Sequence, residues 1–238
     1  ACYRLTDYYG WTSTVYNHIT LRVPNTDTFL INGFGLNYNE ICASNLVLVD
    51  LDGNKLSDDD FPINKAGFII HSAIHQARPK DLHCVMHSHE VNSQTLAASK
   101  SKLIPLTQEG CQLYERVGYH EFNGIVLNDE EKEKLINAIG NEKHTLLMRN
   151  HGLITAGPTA AWAFIRHQHF IRNAEVQLKL MASNAEMNMI SDNILKHTRE
   201  QFEGGSAQAG AKVRHPEWPA FWRLLDTCLL YTSDAADE

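Results

Sequence analysis

The run Cys84-Val85-Met86-His87-Ser88-His89-Glu90 constrains this chain more than any other stretch. Its three leading apolar residues read as a buried strand. Side chains alternate along a strand, so His87 and His89 point the same way. An apolar strand that finishes with two imidazoles side by side can chelate one cation, provided the fold brings it a partner. Thirteen histidines in 238 residues lean the same way, because histidine is the commonest metal ligand.

A catalytic zinc site typically has three protein ligands and one open position. His151 is the best candidate for the third. It too lies just past an apolar strand, Thr145-Leu146-Leu147-Met148, and Gly152 beside it permits a tight turn. Taken alone, a histidine at a strand end is more often a hydrogen-bonded surface residue than a ligand. The His-x-His pair together with a second strand-end histidine moves metal binding ahead.

The rest of the chain supplies strands and helices in irregular alternation. Strands are expected over 18–23, 28–31, 45–50, 83–86, 104–107, 125–127, 145–148 and 153–156. Helices are expected over 64–78, ended by Pro79, then 92–99, 129–139 with Asn128 as cap, 159–185 and 218–226. Asn32-Gly33-Phe34-Gly35 is a glycine-punctuated loop, Leu51-Asp52-Gly53-Asn54 a hairpin turn, and 119–122 a loop. The Gly/Ala/Ser-rich stretch 203–212 is expected to be mobile. The pattern points to a mixed α/β (α+β) layered domain and not to a regular doubly wound sheet. His71 and His75, four apart on one helix face, have a spacing that suits a metal; packing under the sheet is the plainer expectation for His71. His167 and His169 read as ordinary helix residues.

Composition narrows the function classes. A net charge of −7 argues against nucleic acid as partner, since phosphate recognition needs clustered Lys and Arg. No apolar stretch reaches the ~20 residues that span a bilayer, so no membrane partner is expected. Five scattered cysteines without a C-x-x-C pair favour reduced thiols in a cytoplasm. The first ten residues carry no signal-peptide pattern. The chain opens without Met in a helix-like run, so an upstream part is expected. The expected domain is 1–226, with 227–238 a non-native or disordered tail because its composition changes abruptly.

At this point the residues carry a resemblance. Asn17–Pro24 (NHITLRVP), Phe34–Gly53 (FGLNYNEICASNLVLVDLDG), Asn64–Lys80 (NKAGFIIHSAIHQARPK), Cys84–Glu90 (CVMHSHE) and Leu146–Gly157 (LLMRNHGLITAG) resemble the class II aldolase/adducin family in order and spacing. The similarity is greater to the adducin-head and adducin-like bacterial branch than to the sugar-phosphate aldolases. The resemblance implies a three-layer α/β/α domain with a central, mainly antiparallel sheet, and a homotetramer with sites between subunits. It also implies a divalent ion, zinc first and iron, manganese or cobalt as alternatives, on His87, His89 and His151.

The departures matter as much. The family's sugar-phosphate aldolases carry a catalytic glutamate where this chain has Gly67, a serine pair where it has Lys65 and Ala66, and an asparagine where it has His18. Gly35 of their glycine loop is kept and is expected to bind substrate. Lys65 can meet an anionic substrate as a point charge, although a solvated lysine is the plainer expectation. Gln108-Glu109 resembles the Gln-Glu of the family's methylthioribulose-phosphate dehydratases, which makes Glu109 the expected acid/base; the plainer alternative is a helix-start glutamate. The resemblance then implies a metal-dependent lyase acting on a small hydroxy-carbonyl or oxo-acid substrate by aldol cleavage, decarboxylation or dehydration through a metal-stabilised enediolate. Two alternatives stand beside it: a non-haem iron oxygenase on the same scaffold, and a non-catalytic adducin-like interaction module.

Overall fold

Strand pairing in the computed structural model, which describes residues 1–126, 130–208 and 215–228, gathers seven strands into one sheet. They are β1 (His18–Arg22), β2 (Thr28–Asn32), β3 (Leu46–Asp50), β4 (Cys84–Ser88), β5 (Val117–His120), β6 (Thr145–Met148) and β7 (Gly152–Gly157), in the order β3-β2-β1-β4-β7-β6-β5. Every described pairing is antiparallel except β5 with β6. The helices are α1 (Cys2–Tyr8), α2 (Lys65–Ala77), α3 (Val91–Ala98), α4 (Glu130–Ile139), α5 (Ala160–Ser183), α6 (Asp192–Gln208) and α7 (Trp218–Cys228).

Strand alternation sorts the apolar side chains into two cores. Cys84, Met86, Leu147 and Leu153 pack with Leu5 of α1, Leu96 of α3, Phe164 and Phe170 of α5 and Phe221 of α7. Val85, Leu146, Met148 and Ile154 pack with Phe68, Ile70 and Ile74 of α2 and Leu135 and Ile139 of α4. The sheet is therefore the middle of three layers, and its central strands are apolar on both sides. That explains why β4, β6 and β7 are buried throughout and do not alternate with polar residues. Each such Leu, Ile or Phe contributes about 1.5–3 kcal/mol by leaving water.

Local chemistry sets the ends. Asn64 Oδ1 accepts from the Ala66 and Gly67 amides at 3.1 and 3.2 Å and starts α2. Pro79 follows shortly after its end. Thr159 caps α5, which stops where Asn184 turns left-handed at φ 51°. Both boundaries lie close to those the sequence predicts.

Four local expectations fail. Segment 104–107 is not a strand and pairs with no described strand. Asn173 and Gln177 of α5 do a neighbouring strand's work: their side chains bond the backbone of Lys102, Ile104 and Leu106 at 2.8–2.9 Å. Ile125 and Val126 are not a strand, and Ile125 is exposed; Leu127 and the expected cap Asn128 lie outside the described residues. The sheet edge is instead β5, which overlaps the expected loop at 119–122. Its Gly118 lowers strand propensity but is required, because a Cβ there would sit 2.3 Å from the Ala138 carbonyl oxygen of α4. The glycine-rich stretch is partly helical: α6 runs to Gln208, tied to the body by Arg199 with Glu115 and by Arg116 with Glu203. The rest of 203–212, and the tail from 229 onward, lie outside the described residues.

Candidate metal centre

Strand order alone brings the histidines together. β4 lies between β1 and β7, and antiparallel pairing sets Ser88 opposite Leu153. The end of β4 and the start of β7 therefore lie at the same end of the sheet, with His87 and His89 on one strand and His151 just before the other. The turn carrying His151 is tied down at several points. Arg149 donates to the Ser99 and Ser101 carbonyl oxygens at 2.9 Å, the Asn150 amide to Ala97 O at 3.1 Å, and Gln94 to His151 O at 3.0 Å. Asn150 takes the left-handed turn at φ 54°.

Gly152 is required for a different reason from the one its turn suggests. A Cβ there would lie 2.5 Å from Ser88 O, 2.9 Å from His89 Cδ2 and 3.2 Å from His87 Cε1. The backbone passes directly against the imidazoles, so only glycine fits.

The three rings converge, with centroids 4.7, 4.8 and 4.9 Å apart and one ligand atom from each within 4.8 Å of the others. His87 is buried; His89 and His151 are half-buried, so the cluster is reachable from one side. The His87 Nδ1 lies 3.0 Å from Leu153 O, which can only accept, so that nitrogen carries the hydrogen and Nε2 is a lone pair aimed at the cluster. The Nε2 atoms of His87 and His89 approach to 2.9 Å. Burial lowers the pKa of all three, His151 to about 4, with the neighbouring imidazoles adding to the effect for His87 and His151. They are neutral at pH 7, as metal ligation requires. Three neutral imidazoles with one donor oriented by a carbonyl fit a divalent borderline-soft ion such as zinc.

The remaining expected site residues are placed as follows. Glu109 is exposed at the start of a short 3-10 turn, and no described hydrogen bond, ion pair or ring contact joins it to the trio. Lys65 is the exposed first residue of α2. Gly35 is exposed and left-handed at φ 104°, while Gly33 beside it packs against Phe61. Glu90, which ends the opening run, caps α3 by accepting from the Asn92 and Ser93 amides at 2.9 Å. His167 is not ordinary: fully buried, it bridges Ser88 Oγ at 2.6 Å and Thr155 Oγ1 at 3.0 Å under β4.

Sequence reasoning missed the surroundings of His18. It stands opposite His87 in the β1–β4 register, with the two rings stacked 4.8 Å apart. His18 Nδ1 meets His71 Nε2 at 2.9 Å, and Thr20 Oγ1 lies 2.8 Å from both His71 Nδ1 and His75 Nε2. The signal was present as His18-x-Thr20 on one strand face above His71 and His75 on one helix face. Gly67 is explained as well: a Cβ there would lie 2.5 Å from His18 Cδ2, so no side chain fits at 67 while His18 holds this place.

The family described as Class II Aldolase and Adducin N-terminal domain matches residues 1–178. A Pseudomonas aeruginosa protein provisionally named a class 2 aldolase is 38% identical over 226 residues, 95% of this chain and 86% of that one. Rattus norvegicus alpha-adducin is 35% identical over 237 residues, 95% of this chain but only 32% of the adducin. Among solved structures, an aldolase II superfamily protein from Pseudomonas syringae superposes with a TM-score of 0.79 at 36% identity, covering 92% of this chain and 90% of that one. An L-fuculose 1-phosphate aldolase from Glaciozyma antarctica PI12 gives 0.80 at 27% identity, covering 94% and 87%.

Proposed function

The chain belongs to the class II aldolase and adducin family, and on that premise we propose that it is a metal-dependent lyase acting on a small hydroxy-carbonyl or oxo-acid substrate. The convergence of His87, His89 and His151 where two central strands meet end to start carries this reading. These residues would hold a divalent ion, zinc first. Bound there, the ion supplies a Lewis acid that polarises a substrate carbonyl.

The chain's own residues do the rest. Leu153 O orients His87, and Gly152 keeps the backbone out of the ligands' way. Lys65 and Gly35 are proposed to meet the substrate, and Glu109 to move the proton with its exposed carboxylate. A cytoplasmic homotetramer is part of the same proposal. No described helix is long and apolar enough to cross a membrane.

Elemental analysis of untagged protein tests the centre. About one equivalent of zinc, lost in His89→Ala, supports it. Iron redirects the search to oxygen chemistry. Absence of any metal after reconstitution removes both enzymatic readings and leaves an interaction module, which the 35% identity to alpha-adducin favours as the second reading. Glu109→Gln is expected to keep its zinc while turnover of the lyase substrate falls by at least a hundredfold. Loss of zinc in that variant would make Glu109 a support of the metal.

A further inference from the structure

Beneath the trio runs a chain of hydrogen bonds whose directions follow from one end. His75 Nδ1 lies 3.2 Å from Leu82 O, and a carbonyl only accepts, so that nitrogen carries a hydrogen. His75 is neutral, its pKa lowered to about 3 by burial, so its Nε2 is a bare lone pair. Thr20 Oγ1, 2.8 Å away, must donate its single hydrogen there. The same oxygen can then only accept from His71 Nδ1, also 2.8 Å away. With its hydrogen on Nδ1, His71 offers Nε2 to His18 Nδ1 at 2.9 Å. One backbone carbonyl thus sets the tautomer of three imidazoles in series, and the last, His18, keeps a bare Nε2.

His18 is only 4% exposed, but its Nε2 is not among the described polar atoms sealed from solvent without a partner, so a small donor can reach it. The His18 ring stacks on His87, and its Nε2 edge lies over Gly67, where an added Cβ would come within 2.7 Å of Nε2. No described residue gives a hydrogen bond to His18 Nε2; its ring bonds only His71, through Nδ1.

We propose that His18 Nε2, held as a hydrogen-bond acceptor by the Leu82–His75–Thr20–His71 relay, is a specificity element that receives a substrate hydroxyl and rejects an anionic oxygen at that point. A hydroxyl brings the hydrogen the lone pair needs. A phosphate or carboxylate oxygen brings a second lone pair, which repels. The inference rests on the lyase reading for its substrate class, but the hydrogen positions stand apart from any metal.

Neutron diffraction of the metal-free protein reads those positions directly. Deuterium is expected on Nδ1 of His75, His71 and His18 and on Thr20 Oγ1 towards His75. Deuterium on His18 Nε2 overturns the proposal. Thr20→Val supplies the second arm. Leaving a hydrogen on His71 Nδ1 would bury an orphaned donor, so both rings should switch, His71 donating from Nε2 and His18 presenting an N–H.

Titration calorimetry with dihydroxyacetone and with inorganic phosphate, on metal-free and zinc-loaded protein alike, reads the result. The variant is expected to lose about tenfold in dihydroxyacetone affinity and to gain phosphate affinity, with zinc retained; Thr20→Ser should match the parent. Unchanged affinities for both probes, or loss of zinc together with the ketone, overturn the proposal. If Thr20→Val fails to fold, the neutron map and Thr20→Ser still decide. Failure to bind zinc with the hydrogens as expected would sink the lyase reading alone.

Discussion

Two histidine clusters lie against each other in this protein, and they use the same ring in opposite ways. In the trio of His87, His89 and His151, one nitrogen of His87 is bound to a carbonyl while Nε2 atoms face one another across the mouth of the cluster. In the relay, both nitrogens of His71 and His75 are bonded within the protein. His18 belongs to both, stacked on His87 with one nitrogen bonded to His71 and the other without a hydrogen bond among the described residues. What separates a candidate ligand from a structural imidazole is therefore which nitrogens the fold leaves unpaired. Burial is shared: it lowers the pKa of every member.

Acid is the strongest way to break both clusters together. The folded pKa values lie below the ordinary 6.5, so the unfolded chain binds the extra protons, and stability falls as pH drops from about 6.5 through the folded values near 3 to 4. Thermal melts across that range should lose on the order of several kcal/mol. Zinc should restore only the part owed to the trio, because protons and metal compete there and not in the relay. A melt that stays flat from pH 7 to pH 4 would contradict the burial of these rings.

Gly152→Ala comes next and strikes the trio alone. The new methyl meets Ser88 O, which is backbone and cannot turn aside, so about 1–3 kcal/mol of stability and the bound metal should go together. Metal titration of the refolded variant checks this; a full equivalent of zinc would show that the strand edge can shift.

The smallest effect is expected from His71→Phe, which strikes only the relay. It leaves His18 Nδ1 without a partner in a buried place and removes the donor to Thr20 Oγ1, whose own hydrogen stays on His75, costing about 1–3 kcal/mol. Metal content should stay near the parent's, and a Tm lowered by several degrees is the readout. Loss of zinc here would mean that the two clusters act as one.

The residues that met in the trio were legible because strand ends are local events. Apolar runs ending in histidine can be read directly, and the Asn64 cap and Pro79 stop marked α2 as clearly. β5 was not legible, since Gly118 reads as a strand breaker until the Ala138 carbonyl 2.3 Å from its missing Cβ is seen. Nor was the 104–107 segment, whose backbone is satisfied by amide side chains about seventy residues away.

The sequence by itself determined the family, the layered class of fold and the identity of three histidines, because these rest on runs of neighbouring residues whose chemistry is local. Only the tertiary structure decided that β4 lies between β1 and β7. That order sets His18 against His87, closes the space over Gly67 and hangs the relay from Leu82. Hydrogen-bond directions depend on which atoms meet across the sheet, and no spacing along the chain contains that information.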